Sequence, residues 1–132
     1  MVGIIRTRTE IEEAIAKIAD IRARSKNVAV AGGRKFNPGF HLAFDLDNML
    51  LVAESTAKSA DSREESRGGH TRDDFPGMDN KWRQVNHISS FDGEKVNVRK
   101  QALPPMPKEL FELFDVHELE KYMTPEEVSK GG

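Results

Sequence analysis

Apolar residues recur at Ile11, Ala14, Ile15, Ile18 and Ile21, three or four positions apart, with Glu12, Glu13, Lys17, Asp20 and Arg24 between them. That spacing gathers the apolar side chains into one stripe of a helix and leaves the charges on the other face. Thr9, with Glu12 three residues on, predicts a capping box that opens this helix, and the pattern lapses near residues 25–27. A second helical pattern follows at Leu42, Ala43, Leu46, Met49, Leu50, Ala53 and Ala57. Asn37 followed by Pro38 predicts its start: asparagine caps free N–H groups, and proline at the first helical position has no N–H to leave unpaired. The helix is expected to run from Pro38 to about Arg67, where Gly68 and Gly69 supply the left-handed conformation that ends helices. Ala53, Ala57 and Ala60 are small enough to let another helix approach closely.

The segment joining the helices carries Gly32 and Gly33 after a short apolar run. A dinucleotide-binding turn needs a third glycine opening a helix. Arg34, Lys35 and Phe36 stand there instead, so the segment reads as a connection. Beyond residue 80 the texture changes. Residues 82–91 and 95–103 contain β-type stretches, and Asp92 with Gly93 between them is a hairpin signal. Pro104, Pro105 and Pro107 then interrupt regular structure. Residues 108–114 and 116–123 read as two short helices, and Thr124 with Pro125 opens a last turn. The expected fold is mainly α: a partial helical bundle of two long helices, then a β-hairpin and a short helical tail. Within one domain over 1–132, the parts are a bundle over 1–69, a polar loop over 70–80, a hairpin over 81–103 and a tail over 104–132.

Composition narrows the function more than the fold. A net charge of -2 with 32% charged residues gives no basic surface for nucleic acid. Cysteine is absent, which removes disulfides and thiolate metal sites and fits a reducing compartment. No apolar run approaches the roughly 20 residues that span a bilayer, and the first six residues are too few for a signal peptide's apolar region. Direct membrane contact is not expected.

The densest chemistry lies in Glu65, Ser66, Arg67, Gly68, Gly69, His70, Thr71, Arg72, Asp73, Asp74, Phe75 and Pro76, with Asp79 and Trp82 just beyond. Arg67 and Arg72 offer planar forks suited to carboxylates. Asp73, Asp74 and Glu64 are the expected partners within the chain. Phe75, Pro76 and Trp82 can pin the loop to a core. The expected role is a structural junction, with no catalytic, cofactor-binding or metal residue. Two other readings stay open: a hydrolase pairing His70 with Asp73 or Asp74, and a divalent cation held by His70, Asp73, Asp74 and Asp79. The latter spacing matches no known cation loop.

This run, with Val2 to Arg6 ahead of it and Asp79 to Trp82 behind, resembles the signature of the C-terminal domain of succinate dehydrogenase and fumarate reductase flavoprotein subunits. The resemblance covers nearly the whole chain, least specifically beyond Pro104, and aspartate oxidases carry a similar run. It implies a parent enzyme that interconverts succinate and fumarate on FAD and passes electrons to an iron-sulfur subunit. It also implies that the flavin site, the dicarboxylate clamp and the first helix of a three-helix bundle precede this chain, so that the chain alone holds no cofactor and is inactive. The implied partners are the parent's flavin-binding and capping domains and the iron-sulfur subunit. The implied location is cytoplasmic and peripheral to the membrane through partner subunits. Two helices with uncovered apolar stripes would leave the isolated chain a homodimer. A free-standing interaction module without activity is the alternative.

Overall fold

The computed structural model describes residues 2–130. The chain divides into two compact units, residues 1–101 and 102–132. In the first, strand β1 (Ile5–Arg6) leads into helix α1 (Arg8–Ser25), a loop, and helix α2 (Pro38–Ser62). Strand β2 (Thr71–Arg72), a helical turn α3 (Asn80–Arg83) and strands β3 (Val85–Phe91) and β4 (Val96–Ala102) follow. The second unit carries three short helices, α4 (Lys108–Phe111), α5 (Val116–Leu119) and α6 (Pro125–Lys130). The architecture is therefore two long helices, a two-stranded antiparallel hairpin and a short helical tail, as expected.

Helix α1 begins earlier than the Thr9 cap expected from the sequence. Thr7 is the cap, and its hydroxyl oxygen accepts the Glu10 N–H while Glu10 Oε2 accepts the Thr7 N–H at 2.9 Å. Thr7 and Thr9 each have a glutamate three residues on, so local sequence does not separate them. The neighbouring chain does: β1 pairs in parallel with β2, Ile5 opposite Thr71 and Arg6 opposite Arg72. That ladder holds the backbone extended up to Thr7, and the Arg8 N–H is taken up by Asp74 Oδ2 at 3.0 Å.

Asn37 caps α2 as expected, its side chain accepting the Gly39 N–H at 3.1 Å. The helix ends at Ser62, short of Arg67, and Arg63 is already extended (φ -95°, ψ 99°). The Arg72 guanidinium reaches the carbonyl oxygens of Ala60 and Asp61 at 3.0 and 3.2 Å, satisfying acceptors that a continuing helix would have used. Gly68 does adopt a left-handed conformation (φ +58°), but with Gly69 it turns a short antiparallel bridge between Arg67 and His70 rather than ending a helix. Trp82 lies on α3 ahead of the first hairpin strand, because Asp79 caps a helical turn there by accepting the Lys81 N–H at 3.0 Å.

The core is small and one-sided. Ile11 is fully buried, with Ala57 and Ala60 against it and Val2, Ile15 and Ile18 packed around them. The aliphatic stripe of α1 thus lies on the small-residue face of the C-terminal half of α2. Towards the other end of α2, Leu42 and Met49 are 65% and 64% exposed. In the hairpin, Asp92 Oδ1 accepts the N–H groups of Glu94 and Lys95, and Gly93 takes φ +100°, as its turn signal requires. In the tail, the first two helices are shorter than expected, while Thr124 and Glu127 cap α6 reciprocally.

Candidate functional site

Past Ser62 the chain leaves the helix at Arg63 and bends at Glu65, and the side chains of Arg63, Glu65 and Arg67 come together. Glu65 is 1% exposed and sits between the two guanidinium groups. Its Oε1 accepts from Arg63 Nε at 2.8 Å and Arg67 Nε at 3.0 Å; its Oε2 accepts from Arg67 Nη2 at 3.1 Å and the Asp79 N–H at 2.9 Å. Burial by itself would raise the Glu65 pKa. The Arg67 fork, the Asp79 N–H and Arg63 outweigh it and bring the pKa down to about 2. Arg63 also donates to the Trp82 carbonyl at 3.1 Å, which ties the carboxylate cluster to α3.

A second cluster joins the ends of the two long helices. Arg72 is fully buried. Its Nε and Nη2 meet Asp74 Oδ1 and Oδ2 at 2.8 and 2.7 Å in a bidentate fork, and its guanidinium stacks over Phe75, 5.0 Å from the ring centre. Through Nη1 the same group holds the C-terminal carbonyls of α2, while Asp74 holds the first N–H of α1. The cation therefore lies at the negative end of one helix dipole and the anion at the positive end of the other. The hydrogen bond from Arg72 holds the Asp74 carboxyl well below the usual carboxylate range, and the same pairing raises Arg72. Arg8 pairs with Glu64 alongside.

The remaining signature residues serve the loop itself. Ser66 Oγ accepts the Arg72 N–H at 2.8 Å and lies 3.0 Å from the Phe75 carbonyl oxygen, to which it donates. His70 Nε2–H donates to the Arg63 carbonyl at 2.9 Å. Burial lowers the His70 pKa despite that bond, and the positive charges of Arg6, Arg72 and Arg63 lower it further. Trp82 is 2% exposed, with Lys100 Nζ 4.0 Å above its ring. Its indole N–H has no hydrogen-bond partner among the described residues. Asp73 and Pro76 are exposed.

Of the expected carboxylate partners, Asp74 meets Arg72, whereas Arg67 meets Glu65 and Glu64 meets Arg8. The hub role of Glu65 was hidden by the expected helix to Arg67, which turns residues two apart to opposite faces. With the helix ended at Ser62, the close Arg-x-Glu-x-Arg run itself offers Glu65 as the shared acceptor.

The chemistry available is that of a locked junction. Asp74 is engaged by Arg72 and the ring of His70 faces a carbonyl, so these two do not converge on open space as base and acid. No group of three metal-ligating side chains occurs among the described residues. Gly32 and Gly33 lie in an irregular loop, and at the start of α2 the Asn37 side chain accepts the Gly39 N–H.

Known proteins place this geometry. The pattern of the family described as "Fumarate reductase flavoprotein C-term" matches residues 1–123. The fumarate reductase flavoprotein subunit of Helicobacter pylori is 39% identical over 83 residues, which is 61% of this chain and 12% of that protein. The apo Sdh1 complex of Mycobacterium smegmatis contains a chain that superposes with a TM-score of 0.83 at 47% identity, over 98% of this chain and 23% of that one. A FrdA chain of E. coli quinol fumarate reductase superposes with a TM-score of 0.70 at 28% identity, over 80% of this chain and 20% of that one. This chain therefore spans less than a quarter of the length of each of these relatives. Its sequence and its fold agree: the chain belongs to the C-terminal domain family of fumarate reductase and succinate dehydrogenase flavoproteins.

Proposed function

We propose that this chain works as the C-terminal segment of a flavoprotein subunit that interconverts succinate and fumarate, and that its own part is structural. It fastens the end of α2 to the start of α1 and buttresses the flavin-binding and capping domains of the longer protein. In that protein the FAD would supply hydride transfer to and from the substrate; none of that chemistry is assigned to a residue here. The single observation that carries the structural reading is Arg72, a fully buried cation committed to Asp74, to two helix-end carbonyls and to the Phe75 ring. Such a group holds elements in place: four of its five N–H donors are committed, and the whole side chain is buried away from any substrate. The names of these relatives, a flavoprotein subunit and a chain of an Sdh1 complex, support partner subunits; the family resemblance implies an iron-sulfur protein among them and attachment at the membrane through them. No helix among the described residues is long and apolar enough to cross a membrane.

Taken alone, the chain is inferred to pair with a second copy through α2. Leu42, Leu46, Met49 and Val28 line an almost wholly apolar cleft of about 350 Å³. Large aliphatic side chains left in water forgo about 1.5–3 kcal/mol each, and two-fold pairing of one patch is the commonest remedy.

The test of the structural role is Arg67→Lys, which keeps the charge and loses the fork to Glu65. Placed in the full-length flavoprotein, it is expected to lower flavin retention and dye-linked succinate oxidation together, with the Michaelis constant unchanged in the fraction that retains flavin. A variant that keeps its flavin but shows an altered Michaelis constant would instead put Arg67 at the substrate.

A further inference from the structure

One surface of the first unit is shaped and charged for something the junction does not use. Along α1 and its C-cap, Ile15, Ile18, Ala19, Arg22, Ala23 and Lys26 follow one another at helical spacing; Ile15, Ile18 and Arg22 are half-buried at the edge of the α2 contact, and Ala19, Ala23 and Lys26 are exposed beyond it. Opposite them stand Glu54 and Lys58 of α2 and Glu94 and Lys95 of the hairpin turn, enclosing a groove of about 440 Å³. Its floor is apolar and its wall is fixed. Glu54 is 7% exposed and is paired at once with Arg22 of α1 and with Lys58, while Lys58 Nζ donates to the Val96 carbonyl at 2.7 Å. One carboxylate thus clamps two helices and, through Lys58, the hairpin, so the groove is formed before anything enters it. Its charges do not cancel: Arg22, Lys26, Lys58 and Lys95 face only Glu54 and Glu94, an excess of two positive charges on an apolar trough. Lys26 and Lys95 make no ion pair among the described residues, and both are exposed at the rim.

We propose that this groove docks an amphipathic acidic helix of a partner protein. Its apolar residues, at positions i, i+3, i+4 and i+7, would lie on Ile15, Ile18 and Ala19, and its flanking carboxylates would meet Lys26 and Lys95. Helix-in-groove recognition needs an apolar trough of this kind, and complementary rim charges fix register and speed association. A neutral apolar helix would leave the two rim lysines uncompensated. A plain polyanion would leave the floor unfilled. The groove shares no lining residue with the apolar cleft around Leu42, so the inference stands apart from the pairing of two copies, and it does not depend on the succinate–fumarate assignment.

The probe is a labelled synthetic helical peptide of about 15 residues, with leucine on one stripe and glutamate on its flanks, titrated with the chain and read by fluorescence anisotropy at physiological salt. Saturable binding is expected. It should weaken at least about tenfold in a Lys26→Glu, Lys95→Glu double variant, and by a similar factor when the peptide's glutamates become glutamines. Ala19→Trp, which fills the trough without touching a charge, should abolish it. Both sets of substitutions lie at exposed positions, so circular dichroism should show the fold intact. No saturable binding, equal affinity of the double variant, or tighter binding of oligoglutamate than of the amphipathic peptide would each overturn the proposal, the last pointing to a mere polyanion surface.

Discussion

In its C-terminal half α2 turns Ala57 and Ala60 onto Ile11, and its end is held by a buried arginine; in its N-terminal half the same helix turns Leu42 and Met49 outward, each more than 60% exposed. The two halves show what residue type does and does not decide. The tight half is built from small side chains and ion pairs, which by composition look like surface. The loose half is built from large aliphatic residues, which look like core. Alanine permits close approach, and a charge can be buried when every donor and acceptor is met. Leucine is buried only where something covers it.

If the tight half depends on its ion pairs, breaking one should give the largest effect. Glu65→Ala leaves Arg63 and Arg67 with uncompensated charge in a buried setting, and Arg72→Ala strips two helix-end carbonyls as well as Asp74. Loss of one partner from a buried pair typically costs about 3–5 kcal/mol, a large share of the roughly 5–15 kcal/mol of a small domain. Urea denaturation followed by circular dichroism should show either variant unfolding at a much lower midpoint. A change below about 1 kcal/mol, the scale of exposed pairs, would mean that the junction is held mainly by parts of the longer protein.

Acid should act on the same half in two stages. Glu65 titrates at about 2 in the folded chain against an ordinary 4.5. A depressed carboxylate contributes stability that is full above its unfolded value and is lost as pH falls from about 4.5 towards 2; by linkage the whole contribution is about 3 kcal/mol. His70 and His87 are also depressed from an ordinary 6.5, both mainly by burial. The unfolded chain takes up those protons first, so stability begins to fall as pH drops below about 6.5. Midpoints measured in urea from pH 8 to pH 3 should decline in both windows, and the upper decline should shrink in His70→Gln. A flat profile down to pH 5 would show that neither histidine is desolvated.

How much of this was legible in the sequence follows the same division. The helices were readable from period alone, and the Asn37–Pro38 start and the Asp92–Gly93 turn from local chemistry. The end of α2 was not, because no breaker stands at Arg63; the helix stops where Arg72, nine residues later, takes its carbonyls. The choice of Thr7 over Thr9 likewise rests on Asp74 and on a strand partner more than sixty residues away. In the signature, Arg72 with Asp74 could be anticipated from residue types. Glu65 as the acceptor for Arg63 and Arg67 could not, once the segment was taken as helix.

The loose half gives the smallest expected change in the stability of the single chain and the sharpest contrast. Leu42→Gln with Met49→Gln replaces two exposed aliphatic side chains and removes few packing contacts. Exposed substitutions of this kind usually shift stability by no more than about 0.5 kcal/mol, so urea midpoints at low protein concentration should hardly move. Self-association should respond strongly, because the same residues line the apolar cleft inferred to pair two copies. Light scattering at micromolar concentration is expected to show a dimer for the parent chain and a 14.8 kDa monomer for the double variant. A parent chain already monomeric at that concentration would remove the pairing and leave the cleft to another segment of the longer protein. A large fall in midpoint for the double variant would show that Leu42 and Met49 are covered in solution within one chain, and the division of α2 into two halves would not hold.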